Sequence, residues 1–284
     1  MKMTEYELKQ TLSMPNIGRG SLAKKIGVSE TDARILVAIK DNRDLISSVL
    51  RKEEVKSIRK EVKSNKKKDR NILVIGDLHA PFTLSGYLEF CKKMYIKHSC
   101  NEVVFIGDLI DNHYSSYHET DPDGHSAAME LALAKSQIRE WYETFPNAKV
   151  CIGNHDVIPS RKAMTSGVSK GWVKTIGEVL DTPNWEYSED FIIDDVLYTH
   201  GVGRKARQRA KADLISVVQG HYHSEGYVEY LVGMNYKIFA LQVGSGLDKT
   251  SYAAAYAKHF NKPHVCCGLV LENGTLPFLE YMNL

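Results

Sequence analysis

At 284 residues, 43% hydrophobic and 25% charged, the chain has room for one large domain or a medium domain plus a small one, and its composition is that of a globular protein, which excludes a disordered or fibrous class. No apolar run approaches the ~18 residues of a membrane-spanning helix, and the opening MKMTEYELKQ does not read as a signal peptide, so a cytoplasmic protein with no membrane partner is expected. The net charge of +2 conceals an asymmetry: the first seventy residues hold 18 Lys and Arg against 10 Asp and Glu, and the remainder is acidic by six charges.

Residues 1–48 carry helical periodicity. In GSLAKKIGVSETDARILVAIKDNR, Leu22, Ile26, Leu36 and Ile39 are the apolar positions on either side of the break GVS. Gly27 separates the two patterns, Ser29 is placed to cap the second, and Ala23 supplies the small side chain that closely crossing helices need. The layout predicts a helix-turn-helix-like domain, with a generic three-helix bundle as the alternative. RKEEVKSIRKEVKSNKKKDR follows, polar nearly all round and ending in the lysine run Lys66 to Lys68. It predicts a basic helical linker over residues 49–70.

From residue 71 to 284 the pattern changes to apolar β runs alternating with helical periodicity. NILVIGD, EVVFIGD, KVCIGN, VLYTHG and LISVVQGH read as strands, and amphipathic stretches over Leu84 to His98 and His125 to Phe145 read as helices. A hairpin is expected to turn at Glu272 to Thr275. These elements predict an α/β domain of two packed, mixed β-sheets flanked by helices. The five cysteines, Cys91, Cys100, Cys151, Cys266 and Cys267, sit mostly in apolar segments without C-x-x-C spacing, and are expected to be reduced, buried thiols.

One arrangement repeats along this second part: an apolar β run, a glycine, then a side chain able to bind metal. It occurs at Gly76-Asp77, Gly107-Asp108, Gly153-Asn154 and Gly220-His221. Glycine at a strand end allows a sharp turn and close approach of neighbouring backbones, so four strand ends can deliver ligands to one point. Asp77 with His79, and His221 with His223, stand two residues apart, which in extended backbone projects both members of a pair to one side. With His200 from YTHG, the candidate ligands are Asp77, His79, Asp108, Asn154, His200, His221 and His223. That is too many for one tetrahedral ion. Carboxylate, imidazole and amide without thiolate suit two divalent ions, Mn²⁺, Fe or Zn²⁺. Two such ions with two carboxylates and a hydroxide leave about one positive charge facing the cleft, a site for an anion such as a phosphate ester.

The blocks GDLHA, GDLID, GNHD, THG and GHYH resemble, in order, the signature blocks of the calcineurin-like metallophosphoesterase superfamily. The resemblance implies that family's sandwich fold over residues 71–284 and two metal ions, with Mn²⁺ first in expectation. Asp77, His79, Asp108 and His223 would hold one ion. Asp108, Asn154, His200 and His221 would hold the other, Asp108 bridging. A hydroxide between the ions would attack phosphorus, His155 would protonate the leaving oxygen, and Asp111 would orient His155. The Ser/Thr phosphatase branch continues its blocks as GDxVDRG and GNHE, whereas this chain reads GDLIDNH and GNHD, with Asn112 where that branch places a phosphate-binding arginine. The blocks are closer to the phosphodiesterase and nuclease-like branches.

Three features bear on the substrate. The basic N-terminal part suits contacts to DNA phosphates. GRKARQRAK, just after His200, offers Arg204, Lys205 and Arg207 as candidate substrate contacts, or an ordinary solvated helix face. The polar loop DNHYSSYHETDPDGHS, with His113, His118 and His125, is a candidate substrate loop. The expectation is a phosphodiesterase or nuclease acting on DNA. The alternatives are a phosphomonoesterase for phosphoprotein or a small phosphorylated molecule, and a DNA-binding regulator with a non-catalytic body.

Overall fold

The computed structural model describes residues 23–24, 69–117, 120–252 and 263–284. The chain divides after Lys68 into two units, Met1–Lys68 and Asp69–Leu284. Of the first, only the helical pair Ala23 and Lys24 is described, so the expected helix-turn-helix and most of the expected linker lie outside the described residues. The last two linker residues are tied to the second unit: Asp69 accepts from Asn273, and Arg70 pairs with Glu102 and Asp194.

The second unit holds two mixed sheets. In the first, β1 (Ile72–Ile75), β2 (Glu102–Phe105), β3 (Lys149–Cys151) and β4 (Glu186–Ser188) run parallel, with β10 (Cys266–Leu271) antiparallel beside β1 and β11 (Leu276–Tyr281) antiparallel beyond β10. The second has the order β5 (Asp190–Ile193), β6 (Val196–Thr199), β7 (Ser216–Gln219), β9 (Lys237–Gln242) and β8 (Tyr227–Val232). Here β6, β7 and β9 are parallel and the two edge strands antiparallel. The expected hairpin joins β10 to β11 at Glu272 to Thr275.

The strand sequences explain the layering. β1 is ILVI with no exposed residue, as a central strand covered on both faces requires. Its Leu73 and Ile75 face helices α1 (Tyr87–Lys97) and α2 (Ala127–Thr144), with Phe105, Ile138 and Trp141. Its Ile72 and Val74 face the second sheet, packing with Val104, Tyr198, Val218 and Leu241. In α2, Ala134, Ile138 and Trp141 recur at helical spacing and are buried, and each large apolar side chain so removed from water contributes about 1.5–3 kcal/mol. Helix α5 (Ala206–Asp213) covers the outer face of the second sheet through Ala206 and Ala210. Two further helices, α3 (Ile158–Thr165) and α4 (Ile176–Leu180), follow β3.

All five cysteines are free and buried, and burial pushes the Cys100 and Cys266 thiols up to about 12. Among the described residues, no helix is long and apolar enough to cross a membrane.

Candidate metal centre

The parallel strands β1, β2 and β3 of one sheet, and β6 and β7 of the other, all release their chains at the same end of the sandwich. The loops there are stitched to one another: Leu78 and His79 donate their amides to the carbonyl of Asp108 at 3.1 and 2.9 Å. The glycines are required by close approach. A Cβ at Gly153 would overlap the Asp108 carboxylate, and one at Gly220 would overlap Asp77 Oδ1. Only a hydrogen fits between these loops and the carboxylates they surround.

The backbone delivers the paired ligands differently from the extended spacing expected. His79, Asp108 and His221 have φ of 49°, 46° and 71°, in the left-handed region that non-glycine residues seldom occupy. Asp77 with His79, and His221 with His223, therefore converge through tight left-handed turns rather than through strand alternation. Such conformations persist only where surrounding contacts hold them, and they gather at functional sites.

All seven candidate ligands meet. The donor atoms of Asp77, His79, Asp108 and His223 lie within 4.8 Å of one another, as do those of Asp108, His200 and His221. Asn154 joins the second group, its Oδ1 2.9 Å from His200 Nε2. Asp108 sits between the groups: Oδ1 accepts from the amide of His155 at 2.8 Å, while Oδ2 lies 3.2 Å from His200 Nε2 and 3.7 Å from His79 Nε2.

The chemistry of these donors fits cations. His79 Nδ1 contacts Asp111 Oδ1 at 2.6 Å and His200 Nδ1 contacts the Ile106 carbonyl at 3.1 Å. A ring nitrogen facing such an acceptor carries a proton, so each Nε2 is the nitrogen available to a metal. These Nε2 atoms crowd other donor atoms: His79 Nε2 faces His223 Nε2 at 3.0 Å, and His200 Nε2 faces Asn154 Oδ1, Asp108 Oδ2 and, at 3.2 Å, His221 Nδ1. Asp77 Oδ2 accepts from the His221 amide, while its fully buried Oδ1 has no hydrogen-bond partner among the described residues. So many inward-facing oxygen and nitrogen donors in a buried space would be satisfied by divalent ions.

Electrostatics without an ion shows the same frustration. Burial pulls the His200 imidazole down, yet Asp108 and Asp77 outweigh it and raise it to about 10. Burial lowers His79 against the pull of Asp111, and burial with the neighbouring His200 lowers His221. The Asp108 carboxyl resists burial and is held well below the usual carboxylate range by His200, His155 and His79.

His155 lies beside this group, its ring 4.7 Å edge-on from that of His79. Its Nδ1 contacts the backbone carbonyl of Asp111 at 2.6 Å, so Nδ1 holds the proton there and Nε2 is left to take or give one. Burial lowers the imidazole, but Asp108 and Asp111 more than offset this and raise it. Asp111 thus contacts His155 Nδ1 through its main-chain carbonyl, while its carboxylate holds His79 at 2.6 Å and lies 3.7 Å from the same His155 nitrogen, an arrangement that sequence could not resolve.

Three residues that sequence reasoning left without a role hold these loops. Asp156 accepts from the amides of Gly153 at 2.8 Å and Ile110 at 3.3 Å, tying the Asn154 turn to the Asp108 loop. Burial, followed by the nearby Asp108, raises its carboxyl to about 7. Asn112 Nδ2 donates to the His155 carbonyl at 2.8 Å. Glu130 accepts from the amides of His113 and Tyr114. An acidic residue directly after His155 in a glycine turn was the only local signal for Asp156.

The candidate substrate contacts lie in other settings. His113 is buried, its Nε2 accepting from the Asp121 amide at 3.1 Å and its ring 5.2 Å from Tyr252. Lys205 pairs with Glu225, and Arg207 pairs with Glu229 at 3.3 Å while its guanidinium covers the Tyr227 ring. The Arg204 carbonyl accepts from Gln219 Nε2 at 2.6 Å. His118 lies outside the described residues.

Two mixed sheets with candidate metal-ligand side chains at their shared loop end match a metallophosphoesterase architecture. The model of the family described as calcineurin-like phosphoesterase matches residues 70–243, and the chain belongs to this family of metal-dependent phosphoester hydrolases. No curated protein matches it in sequence. Solved structures similar to the chain include an archaeal phosphodiesterase, at 15% identity and a TM-score of 0.41 over 75% of this chain and 99% of that one. Vacuolar protein sorting 29 from Cryptosporidium parvum is similar at 12% identity and 0.41, over 76% and 92%. The nuclease MPE of Pseudomonas putida is similar at 11% and 0.34, over 74% and 86%.

Proposed function

We propose that this chain is a dinuclear-metal-dependent phosphodiesterase acting on nucleic acid, DNA in the first place. The observation that carries the metal-dependent reading is the convergence of seven donor side chains with Asp108 between the two groups, and with Asp77 Oδ1 buried and without a hydrogen bond among the described residues. The all-oxygen-and-nitrogen donor set favours Mn²⁺, with Fe or Zn²⁺ as alternatives. When bound, two such ions would supply Lewis-acid stabilisation of the phosphoryl oxygens and an activated water nucleophile.

The chain's own groups supply the rest. His155, anchored through Nδ1, presents Nε2 as the group that protonates the departing oxygen. Asn112, standing where the phosphatase branch has its arginine, directs its amide to the His155 carbonyl. A phosphomonoester dianion calls for that additional cation more than a phosphodiester monoanion does, and this favours the diester. The basic composition of the first seventy residues supports a polyanionic substrate.

The test is hydrolysis by the full chain loaded with Mn²⁺, Fe²⁺ or Zn²⁺. Bis-p-nitrophenyl phosphate is compared with p-nitrophenyl phosphate, and single-stranded and plasmid DNA with RNA and a phosphopeptide. Faster turnover of the diester, cleavage of DNA, and loss of both with chelator are expected. Turnover of the monoester and phosphopeptide alone would establish a phosphomonoesterase. Neither bound metal nor hydrolysis would leave a DNA-binding regulator with a non-catalytic body.

A further inference from the structure

Immediately beyond His155, residues 157–177 form a cationic island in an acidic body. They include Arg161, Lys162, Lys170 and Lys174 and no Asp or Glu. Among the described residues none of the four forms an ion pair, unlike Lys205 just before α5 and Arg207 on it. A short path joins the island to the centre: Ile158, the first residue of α3, donates its amide to the His155 carbonyl, the same oxygen that Asn112 Nδ2 contacts.

Aromatic side chains interleave with these charges. Trp172 is 87% exposed, on a 3-10 turn that packs beside α3. Tyr117, 61% exposed at the end of the loop that leaves Asp111, places its ring 5.7 Å from the Arg161 guanidinium and 5.2 Å from Lys162 Nζ. Lys162 also donates to the Ser116 carbonyl at 3.4 Å. Two loops that start at the centre, one after Asp111 and one after His155, therefore meet again as a surface of flat rings and cations without ion-paired carboxylates among the described residues.

Leaving an indole almost wholly in water contributes nothing to the fold, and a cluster of like charges resists a compact one. Both become favourable against a partner with π faces and evenly spaced negative charge. That is the chemistry of an unpaired nucleic-acid strand, whose bases stack on aromatic side chains at about 1–3 kcal/mol each while cations follow its phosphates. A duplex keeps its bases stacked internally and offers only the phosphates.

We infer that residues 157–177, with Tyr117, form a binding platform for a single strand of nucleic acid beside the metal centre, Trp172 stacking on a base and Arg161, Lys162 and Lys170 meeting phosphates. The inference rests on the phosphodiesterase reading only for the use made of the strand; binding stands apart from cleavage.

Tryptophan fluorescence tests it directly, because Trp141 and Trp185 are buried and Trp172 is not. The metal-loaded full-length chain carrying His155→Ala, which slows cleavage of the strand, is titrated with an oligothymidylate. Quenching of the exposed indole is expected, with little or none from a blunt duplex. Trp172→Phe should abolish the signal yet retain most of the affinity, whereas Trp172→Ala should weaken oligonucleotide binding by about 5- to 150-fold. Arg161→Ala with Lys162→Ala should flatten the salt dependence by about 0.7 in log-log slope for each phosphate no longer neutralised. In the otherwise wild-type chain, Trp172→Ala should leave turnover of bis-p-nitrophenyl phosphate unchanged, since that ester is too small to span centre and platform. An unquenched Trp172, or equal binding by Trp172→Ala, would overturn the platform even if the small diester is hydrolysed. Trp172 emission that changes only with protein concentration would assign the surface to a second copy and overturn it too. Quenching without diester hydrolysis would keep the platform and remove the phosphodiesterase reading.

Discussion

The two halves of the proposed metal centre are made of unequal material. The group of Asp77, His79, Asp108 and His223 offers two carboxylates, three of its four members are almost wholly buried, and a third carboxylate, Asp111, stands behind His79. The group of Asp108, Asn154, His200 and His221 has only the shared carboxylate, a neutral amide and two imidazoles. Asn154 and His221 are partly exposed, and His200 Nδ1 is hydrogen-bonded to a carbonyl at 3.1 Å, with the Asp77 carboxylate farther off at 3.8 Å. Formal charge, burial and the group behind the histidine all favour the first half. The two ions should therefore bind with different affinities, the second being the more readily exchanged.

The largest effect is expected where the halves cannot be told apart. Asp108→Asn weakens a residue common to both, so most activity and at least one ion per chain should be lost while the circular dichroism stays that of the folded protein. Full metal content with full turnover in that variant would remove Asp108 from the centre.

His155→Ala should leave both halves intact. Metal content should hold while kcat falls by roughly 10² or more, the scale of a lost general acid. Esters with p-nitrophenol as leaving group, which hardly need the proton, should suffer least. Equal losses on good and poor leaving groups would refute the proton-transfer role.

Asp111→Asn and Asn154→Ala sharpen the difference between the halves. Asp111→Asn removes the charge behind His79 but keeps the carbonyl that holds His155, so the tighter ion should lose about 10- to 100-fold in affinity. The dependence on leaving group should survive. Asn154→Ala should instead spare the tighter ion and weaken the other, and calorimetric Mn²⁺ titrations of the two variants should show opposite classes of site affected. Identical titrations would mean that the halves are equivalent.

The smallest expected effect is on stability against pH. The His200 pKa in the metal-free fold, about 10, lies above its ordinary 6.5. Its contribution is therefore complete below pH 6.5 and disappears as pH rises through about 10. Between about pH 7 and 9 the melting midpoint of metal-free protein should fall. The fall should vanish in His200→Gln and in Mn²⁺-loaded protein, where the Nε2 lone pair is engaged without a proton. A slope unchanged by metal and by His200→Gln would show that His200 is not the titrating group.

The body's elements were legible from sequence because their causes are local. Apolar runs such as ILVI and EVVF form strands, and the periodic Ala134, Ile138 and Trp141 form a helix face. Gly153 and Gly220 announce close approach because no other residue fits against Asp108 and Asp77. The seven donors could be named for the same reason, each standing directly beside or three residues beyond a strand-end glycine or, for His200, at a strand's end.

What these residues do to one another was decided only by the tertiary structure, since it depends on loops brought together by sheet order. The amide of His221 meets Asp77 across 144 residues of sequence, and Asp156 joins the Asn154 turn to the Asp108 loop across 46. No periodicity encodes such contacts, nor the left-handed turns at His79 and His221 that replace the extended spacing. Charge shows the same limit. The sequence counts five cations after His200 and four after His155 alike, but only folding places Glu225 and Glu229 beside Lys205 and Arg207 and leaves Arg161 and Lys162 against the ring of Tyr117. Composition fixes how much charge a segment carries. Whether that charge remains available to a partner depends on which carboxylates the fold brings within reach.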